Sequence, residues 1–411
     1  MSGSIQQAVI LAGGRGTRLM PLTENCPKPM VLVDNVPFLQ HLLNQLSLWG
    51  FKRVVILIGY KGEQVSHYFG SQYNGMSLTY SHQDDSLDTA QRVWAAQTYY
   101  DERFLLMYSD NYLRLDFYAH LSNWKAQDAL QLLVQSKKPG NLVVENNKAK
   151  VYDNRRNNPK ADYVELGFML VNWSMVASFF DAKTLNFNHI IERAIAHNCV
   201  GATIENRPYI SISDPARLEK VKHYFSSNQP VLLLDRDGTI NQRAEPGEYI
   251  YKQEDFHFVP GVIEALSSLA KSGFSFVIIT NQAGIARGKY SVEDVEKLHG
   301  YMKQKLAEHE ITIADIYMCP HHWDEDCLCR KPAPGMFYHY EKAHAQDVSK
   351  MIYVGDDPRD MQAAANAGTA SIFIGEYESG VMGDQLPTLG RFDSLNDAVP
   401  TIKNWYFKSD S

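Results

Sequence analysis

Val231-Leu-Leu-Leu-Asp235-Arg-Asp237-Gly-Thr239-Ile-Asn241 decides how the second half of this chain folds. Four consecutive apolar residues read as a strand buried on both faces of a parallel sheet. The run stops at two carboxylates one residue apart, followed by Gly238 and Thr239. A carboxylate buried without a partner is costly, so a pair at a strand end calls for a cation. Open α/β sheets bind their ligands at the carboxyl ends of the strands. There, one carboxylate can attack a phosphorus and the other can carry a proton. Taken alone, the run also fits a strand followed by an acidic turn, so the rest of the chain has to decide.

Three later stretches answer it. Phe274-Ser-Phe-Val-Ile-Ile-Thr280-Asn281 is a strand ending in a hydroxyl and an amide, both suited to a phosphoryl oxygen. Arg330-Lys331-Pro332 supplies cations. Met351-Ile-Tyr-Val-Gly355-Asp356-Asp357, followed by Asp360, is another strand that ends in carboxylates. An acidic nucleophile, a hydroxyl, a lysine and late acidic ligands are what phosphoryl transfer through an aspartyl-phosphate needs, with Mg²⁺ on carboxylate oxygens. In this order the motifs resemble the haloacid dehalogenase superfamily of phosphohydrolases. The resemblance implies Asp235 as nucleophile and Asp237 as general acid/base. It places Thr280 and Lys331 on phosphate, and Mg²⁺ on Asp235, Asp237 (through its carbonyl) and Asp356.

The match narrows at Asn281-Gln-Ala-Gly-Ile-Ala-Arg287-Gly288-Lys-Tyr and at Cys319-Pro-His321 with Cys327-Leu-Cys329-Arg330-Lys331-Pro332. These are similar to D,D-heptose 1,7-bisphosphate phosphatases, and histidinol-phosphate phosphatases share much of them. Asn281, Arg287 and Arg330 thereby join the expected substrate-binding set. Asp357 departs from the pattern, since heptose-bisphosphate phosphatases often carry Lys there.

Cys319, His321, Cys327 and Cys329 lie within 11 residues and offer three thiolates and one imidazole. That is a closed tetrahedral set, typical of structural Zn²⁺. Thiols this close in a reducing cytosol are more often ligands than a disulfide. A polar loop with three incidental cysteines is the competing reading. His322 is adjacent, and the resemblance favours His321.

The first half opens with Gln7-Ala-Val-Ile-Leu11-Ala12, a strand-like run emptying into Gly13-Gly14-Arg15-Gly16-Thr17-Arg18-Leu19, then Pro21-Leu-Thr23 and Pro27-Lys28-Pro29. Glycines let the backbone approach a phosphate, and its N–H groups can cradle an anion. Arg15, Arg18 and Lys28 add charge suited to a triphosphate. A Gly-rich surface turn has the same look. The whole run, however, resembles the sugar-1-phosphate nucleotidyltransferase signature L-A-G-G-x-G-T-R-L-x-P-L-T with P-K-P, at every fixed position. The resemblance implies Lys28 and Arg15 as catalytic cations. Leu11, Gly13, Gly14, Gly16, Thr17 and Arg18 would hold the nucleotide, and Asp110, after the strand Phe104–Tyr108, would hold Mg²⁺. Two places depart. Leu87-Asp88-Thr89-Ala90-Gln91 stands where L-G-T-G-G is usual, and Ser211 stands where a second metal-binding Asp belongs, with Asp214 three residues on.

The 411 residues carry 47 acidic and 40 basic side chains, a formal charge of −7. No basic run marks a nucleic-acid surface, and the apolar runs are too short to span a membrane. No signal peptide precedes the first strand, so the expectation is a cytoplasmic protein with small-molecule partners (sugar phosphates and an NTP). A homo-oligomer stays open. The expected fold is α/β in two domains: a Rossmann-like nucleotidyltransferase sheet over 1–225 and a haloacid dehalogenase-like Rossmannoid sheet over 229–388. A C-terminal tail, 389–411, follows, ending in Asn404-Trp-Tyr-Phe407, which can pack as a terminal helix, and Lys222–Pro230 reads as the linker.

Together the halves imply a bifunctional enzyme of nucleotide-activated heptose formation, with Mg²⁺ and structural Zn²⁺. Removing the 7-phosphate of heptose 1,7-bisphosphate leaves heptose 1-phosphate, which a transferase could join to a nucleotide, GTP being the expected donor. The alternatives are a phosphatase tethered to a degenerate nucleotide-sugar-binding domain, and a histidinol-phosphate-type or other phosphosugar phosphatase.

Overall fold

Alternate residues of the strand Gln7–Ala12 face two different cores. Ala8, Ile10 and Ala12 join Phe38, Leu42 and Leu46 of the helix Phe38–Leu48, whereas Val9 and Leu11 join Ala90, Val93 and Ile190 on the opposite side. This period of two, with both sides covered, is what a central strand between helical layers requires. The computed structural model describes residues 5–181, 183–227, 229–245, 247–376 and 388–407. It divides into two units, Met1–Phe225 and Ser226–Ser411.

In the first unit, Gln7–Ala12 pairs in parallel with Arg53–Ile58 and Arg103–Tyr108, and Arg53–Ile58 pairs in parallel with Met76–His82. Beyond Arg103–Tyr108, the strand Tyr163–Asn172 runs antiparallel. The ten-stranded sheet is therefore mixed. Tyr163–Asn172 turns Phe168 and Leu170 to one core and Met169 and Val171 to the other. Such a two-sided apolar strand carries no sign of its direction in its sequence. Past the end of Arg103–Tyr108, Asn111–Leu113 pairs with Tyr209–Ser211, setting Ser211 opposite Asn111.

The second unit is a six-stranded parallel sheet. Its order is Ile313–Cys319, Ser275–Asn281, Val231–Leu234, Ile352–Gly355, Ala370–Ile374 and Arg391–Phe392. Leu232 and Leu234 enter one core with Leu266, Leu298 and Ile402, and Val231 and Leu233 enter the other with Phe337 and Tyr353. Each buried leucine contributes about 1.5–3 kcal/mol. Val231–Leu234 lies in the middle of the sheet, with later strands on both sides, so its carboxyl end is a topological switch point.

Two boundaries shift. Residues 222–226 belong to the helix Pro215–Ser226 rather than to a linker. The segment from 389 belongs to the second unit rather than standing apart: Arg391–Phe392 extends the sheet, and the expected terminal helix, Leu395–Phe407, buries Leu395, Ala398 and Ile402 in the core. The end of the expected tail, 408–411, lies outside the described residues, as does the stretch 377–387 before residue 388. Among the described residues no helix is long and apolar enough to cross a membrane.

Candidate active sites

At the end of Val231–Leu234 the chain delivers Asp235 into a buried cluster. Lys331 Nζ donates to Asp235 Oδ1 at 2.7 Å, to the Tyr353 hydroxyl at 2.8 Å and to the Ile279 carbonyl at 3.0 Å, and it lies 2.8 Å from Asp360 Oδ1. Asp235, Asp356 and Asp360 present oxygens within 4.8 Å of one another. One ammonium cannot balance three carboxylates. Arg243 Nε reaches Asp356 Oδ2 at 2.9 Å, yet Asp356 Oδ1 stays buried with no hydrogen-bond partner. Burial and the neighbouring acids push the Asp235 carboxyl up to about 8, against the pull of Lys331, and Asp356 up to about 7, against the pull of Arg243. Surplus buried negative charge with an orphaned oxygen is the setting a hard divalent cation such as Mg²⁺ fits. Gly238 has to be glycine: its φ is +89°, and a Cβ there would lie 1.7 Å from Asp356 Oδ2.

Asp237 is held differently. Arg236, only 1 % exposed, grips both of its carboxylate oxygens through Nη2, at 2.8 and 2.9 Å. Asn241 Nδ2 donates to Oδ1 at 2.9 Å, and Gln282 Nε2 donates to Oδ2 at 3.0 Å. Burial acts upward on this carboxyl, but Arg236, Asn241 and Gln282 outweigh it and hold the group below its usual range. Gln282 Nε2 also donates to Thr280 Oγ1 at 3.0 Å, and its oxygen accepts from Tyr290 at 2.8 Å. Thr280 and Asp237 are thus tied through one amide.

A cavity of about 510 Å³ opens over these groups. Asp235, Asp237, Thr280, Asn281, Arg287, Arg330 and Lys331 all line it, with Arg243, Arg359 and Asp360. Asn281 lines it with its amide already engaged: the side chain donates to the Lys331 carbonyl at 3.1 Å and accepts from the Lys331 amide at 3.0 Å. It therefore fixes the backbone that carries Lys331. Arg287 lies against the Tyr249 and Trp323 rings and donates to the Tyr249 hydroxyl. Asp357 is gripped by Arg359 and reached by Arg243 at 3.2 Å, and these donors hold it well below the usual carboxylate range despite its burial. The acidic departure at 357 is thereby matched by two arginines. Asp360 was legible only as one of the late carboxylates, and the supports Tyr353, Gln282 and Arg243 were not singled out from sequence. Asp360 follows the strand-end carboxylates by three residues, a helical spacing that was legible.

Just before Arg330 and Lys331, the four-residue Cys/His set closes on itself. Cys319 Sγ lies 3.6 Å from His321 Nδ1 and from Cys327 Sγ, Cys329 Sγ lies 3.6 Å from Cys327 Sγ, and His321 Nδ1 lies 3.2 Å from Cys329 Sγ. A tetrahedral zinc with Zn–S bonds of about 2.3 Å needs sulfur pairs about 3.8 Å apart, which these side chains approach. His322 instead turns to Asp324.

The first unit has its own cavity, about 240 Å³, lined by Leu11, Gly13, Gly14, Lys28 and Asp110 among others. Lys28 Nζ pairs with Asp110 Oδ2 at 2.5 Å. Gly16, at φ +64°, turns the loop so tightly that a Cβ would press on Lys28 Cβ at 2.9 Å. Arg15, Thr17 and Arg18 stand exposed on the loop and do not line the cavity, and Arg15 reaches Asp85 at 3.5 Å. Among the described residues Asp110 joins no cluster of three or more acidic or metal-binding side chains, though burial, helped by the Asp110 charge, pushes the Glu165 carboxyl up. Asp214 caps the next helix and pairs with Arg217, which leaves Asp110 without a second acidic ligand from that loop.

Residues 7–141 match the nucleotidyl transferase family model, and residues 230–371 match the polynucleotide kinase 3 phosphatase model. Fold and site define a nucleotidyltransferase domain joined to a haloacid dehalogenase-type phosphatase domain. The chain is 42% identical over 154 residues to the D-glycero-beta-D-manno-heptose-1,7-bisphosphate 7-phosphatase of Escherichia coli O6:H1 strain CFT073, covering 36% of this chain and 80% of that protein. The chain belongs to that phosphatase family. Among solved structures, it is similar to D,D-heptose 1.7-bisphosphate phosphatase from B. bronchiseptica complexed with magnesium and phosphate. There the identity is 31% and the TM-score 0.39, covering 42% of this chain and 97% of that one. It is also similar to HddC from Yersinia pseudotuberculosis complexed with GMP-PN, at 20% identity and TM-score 0.45, covering 54% of this chain and 100% of that one.

Proposed function

We propose that the chain is a bifunctional enzyme. Its second unit removes the 7-phosphate of D-glycero-D-manno-heptose 1,7-bisphosphate, and its first unit transfers a nucleotidyl group, GMP from GTP, to the resulting heptose 1-phosphate with release of pyrophosphate. The observation that carries this is the Asp235–Lys331–Asp360 cluster under a cation-lined cavity, in a chain that also holds the Lys28–Asp110 pair beside a glycine loop.

In the phosphatase reaction an Asp235 oxygen attacks the phosphorus, and the bond from phosphorus to the sugar oxygen breaks. The leaving oxygen takes a proton from Asp237. Water then gives a proton to Asp237 and attacks the same phosphorus, releasing phosphate and restoring the Asp235 carboxylate. The donors around Asp237 favour the carboxylate left once its proton has gone to the sugar oxygen, the form that accepts the next proton from water. Lys331 and Thr280 offset charge on the phosphoryl oxygens. Asp235, the Asp237 carbonyl and Asp356 would hold Mg²⁺, with Asp360 close by, and Mg²⁺ would neutralise the phosphoryl group and the surplus carboxylate charge. Cys319, His321, Cys327 and Cys329 would hold a structural Zn²⁺ that ties down the loop leading into Lys331. In the first unit, Lys28 and Arg15 would stabilise triphosphate charge and Asp110 would hold Mg²⁺. None of the five cysteines forms a disulfide, which fits a reducing cytoplasm.

The test is phosphate release from heptose 1,7-bisphosphate with product analysis. Loss of the 7-phosphate with the anomeric phosphate intact supports the reading, and initial loss of the anomeric phosphate contradicts it. The regulatory alternative, a first unit that binds nucleotide-sugar without turning it over, is favoured by Asp214, which caps the next helix and pairs with Arg217 instead of joining Asp110. It predicts no pyrophosphate release with any NTP and sugar 1-phosphate.

A further inference from the structure

Arg92 is a buried cation whose partner is missing from the protein. It sits on the helix Thr89–Ala95, is 4 % exposed, and lines the first-unit cavity with Gly13, Lys28 and Asp110. Two glycines make room for its head group. A Cβ at Gly13 would lie 2.4 Å from Nη1, and one at Gly59 would lie 2.5 Å from it. Nη2 donates to the Asp85 carbonyl at 3.3 Å. Nη1 is buried with no hydrogen-bond partner.

The nearby acids do not pair with it. Asp84, Asp85 and Asp88 act on Arg92 only through space. The Asp85 carboxylate faces Arg15, the Asp84 carboxylate accepts from Ser86, and the Asp88 carboxylate caps the helix. Burying a guanidinium without an ion pair is costly. A buried donor in the wall of a cavity built for an anionic ligand can recover that cost when the ligand binds.

We propose that Arg92 is a nucleotide-recognition residue, its guanidinium donating to acceptor atoms of the nucleoside triphosphate bound in this cavity. The proposal rests on reading the first unit as a nucleotidyl-transfer site. Two parts of such a ligand offer acceptors: the phosphate oxygens, and the O6/N7 edge of guanine, which matches the guanidinium fork.

Calorimetric titration of the full chain with GTP and with UTP, in the presence of Mg²⁺, tests it. Relative to wild type, Arg92→Met should bind GTP about 10- to 100-fold more weakly, the range for a lost charge-assisted hydrogen bond, and Arg92→Lys should recover part of the loss. An equal loss for both nucleotides puts the contact on the part they share, and a loss confined to GTP puts it on the base. Without nucleotide, Arg92→Met should unfold at the same or a higher temperature, because it deletes an unpaired buried charge. An arginine with a merely structural role predicts the opposite: a lower unfolding temperature with GTP affinity unchanged. Unchanged GTP affinity in Arg92→Met overturns the proposal, as does loss of its folded first unit. Failure of the wild type to bind any nucleoside triphosphate overturns the underlying reading of this unit instead.

Discussion

Asp235 shows how one residue's chemistry follows from its surroundings. Its strand end, its distance to Lys331 and the acids around it make a carboxylate that needs a cation beside it. Asp235→Asn should lower phosphate release by roughly 10³-fold or more, as removal of a covalent nucleophile does, and leave nucleotidyl transfer unchanged. Near-normal phosphate release from that variant would rule out Asp235 as nucleophile. The same surroundings give a pH dependence. Without Mg²⁺, burial and the surrounding acids push Asp356 up to about 7 and Asp235 up to about 8, whereas unfolded aspartates titrate near about 4. Between those values the folded state binds more protons than the unfolded one, so stability falls as pH rises. The clearest window is about pH 7 to 9, since His299, held down near 3 by burial and Arg236, is neutral there. Unfolding of zinc-loaded protein without added Mg²⁺ should show a falling transition temperature across this range, and added Mg²⁺ should cancel the fall. A flat profile without Mg²⁺ would contradict the charge balance described. At this scale the sequence was informative where a side chain ends a strand: Asp235, Thr280 and Asp356 could all be placed that way. It was silent on Gln282 and Arg243, whose partners come from distant parts of the chain and become neighbours only on folding.

The Cys319–Cys329 loop is the element most open to a direct test. Its Cys/His cluster was legible because all four side chains fall within 11 residues of one loop, which keeps them near one another. The loop runs into Arg330 and Lys331, and Asn281 fixes the Lys331 backbone from the neighbouring strand. Metal analysis of protein purified without added metal should find about one zinc per chain. Cys327→Ser should lower the thermal stability of the second unit, since zinc binding contributes to folding, and should reduce phosphatase activity by displacing Lys331. A folded, active protein without zinc would remove the metal from the account. Other elements were less legible. The antiparallel strand Tyr163–Asn172 and the short edge strand Arg391–Phe392 depend on long-range pairing, which local periodicity does not record. Residues 222–226 read as linker because Ser, Asn and Pro follow them, yet Val221 and Tyr224 are buried and carry the helix on.

For the whole molecule, the claim is that two chemistries reside in one chain and act in a fixed order. Lys28→Ala and Asp110→Ala should each slow pyrophosphate release by about 10²-fold or more, the scale expected when a group stabilising phosphoryl charge is lost. Neither change should alter phosphate release. Equal damage to both activities would point to a general folding defect. The most direct measurement supplies wild-type protein with D-glycero-D-manno-heptose 1,7-bisphosphate, GTP and Mg²⁺ and follows nucleotide-activated heptose. Wild type should form it without added phosphatase, and Asp235→Asn should form it only when given heptose 1-phosphate. Absence of the product from wild type supplied with either sugar phosphate would contradict the bifunctional assignment.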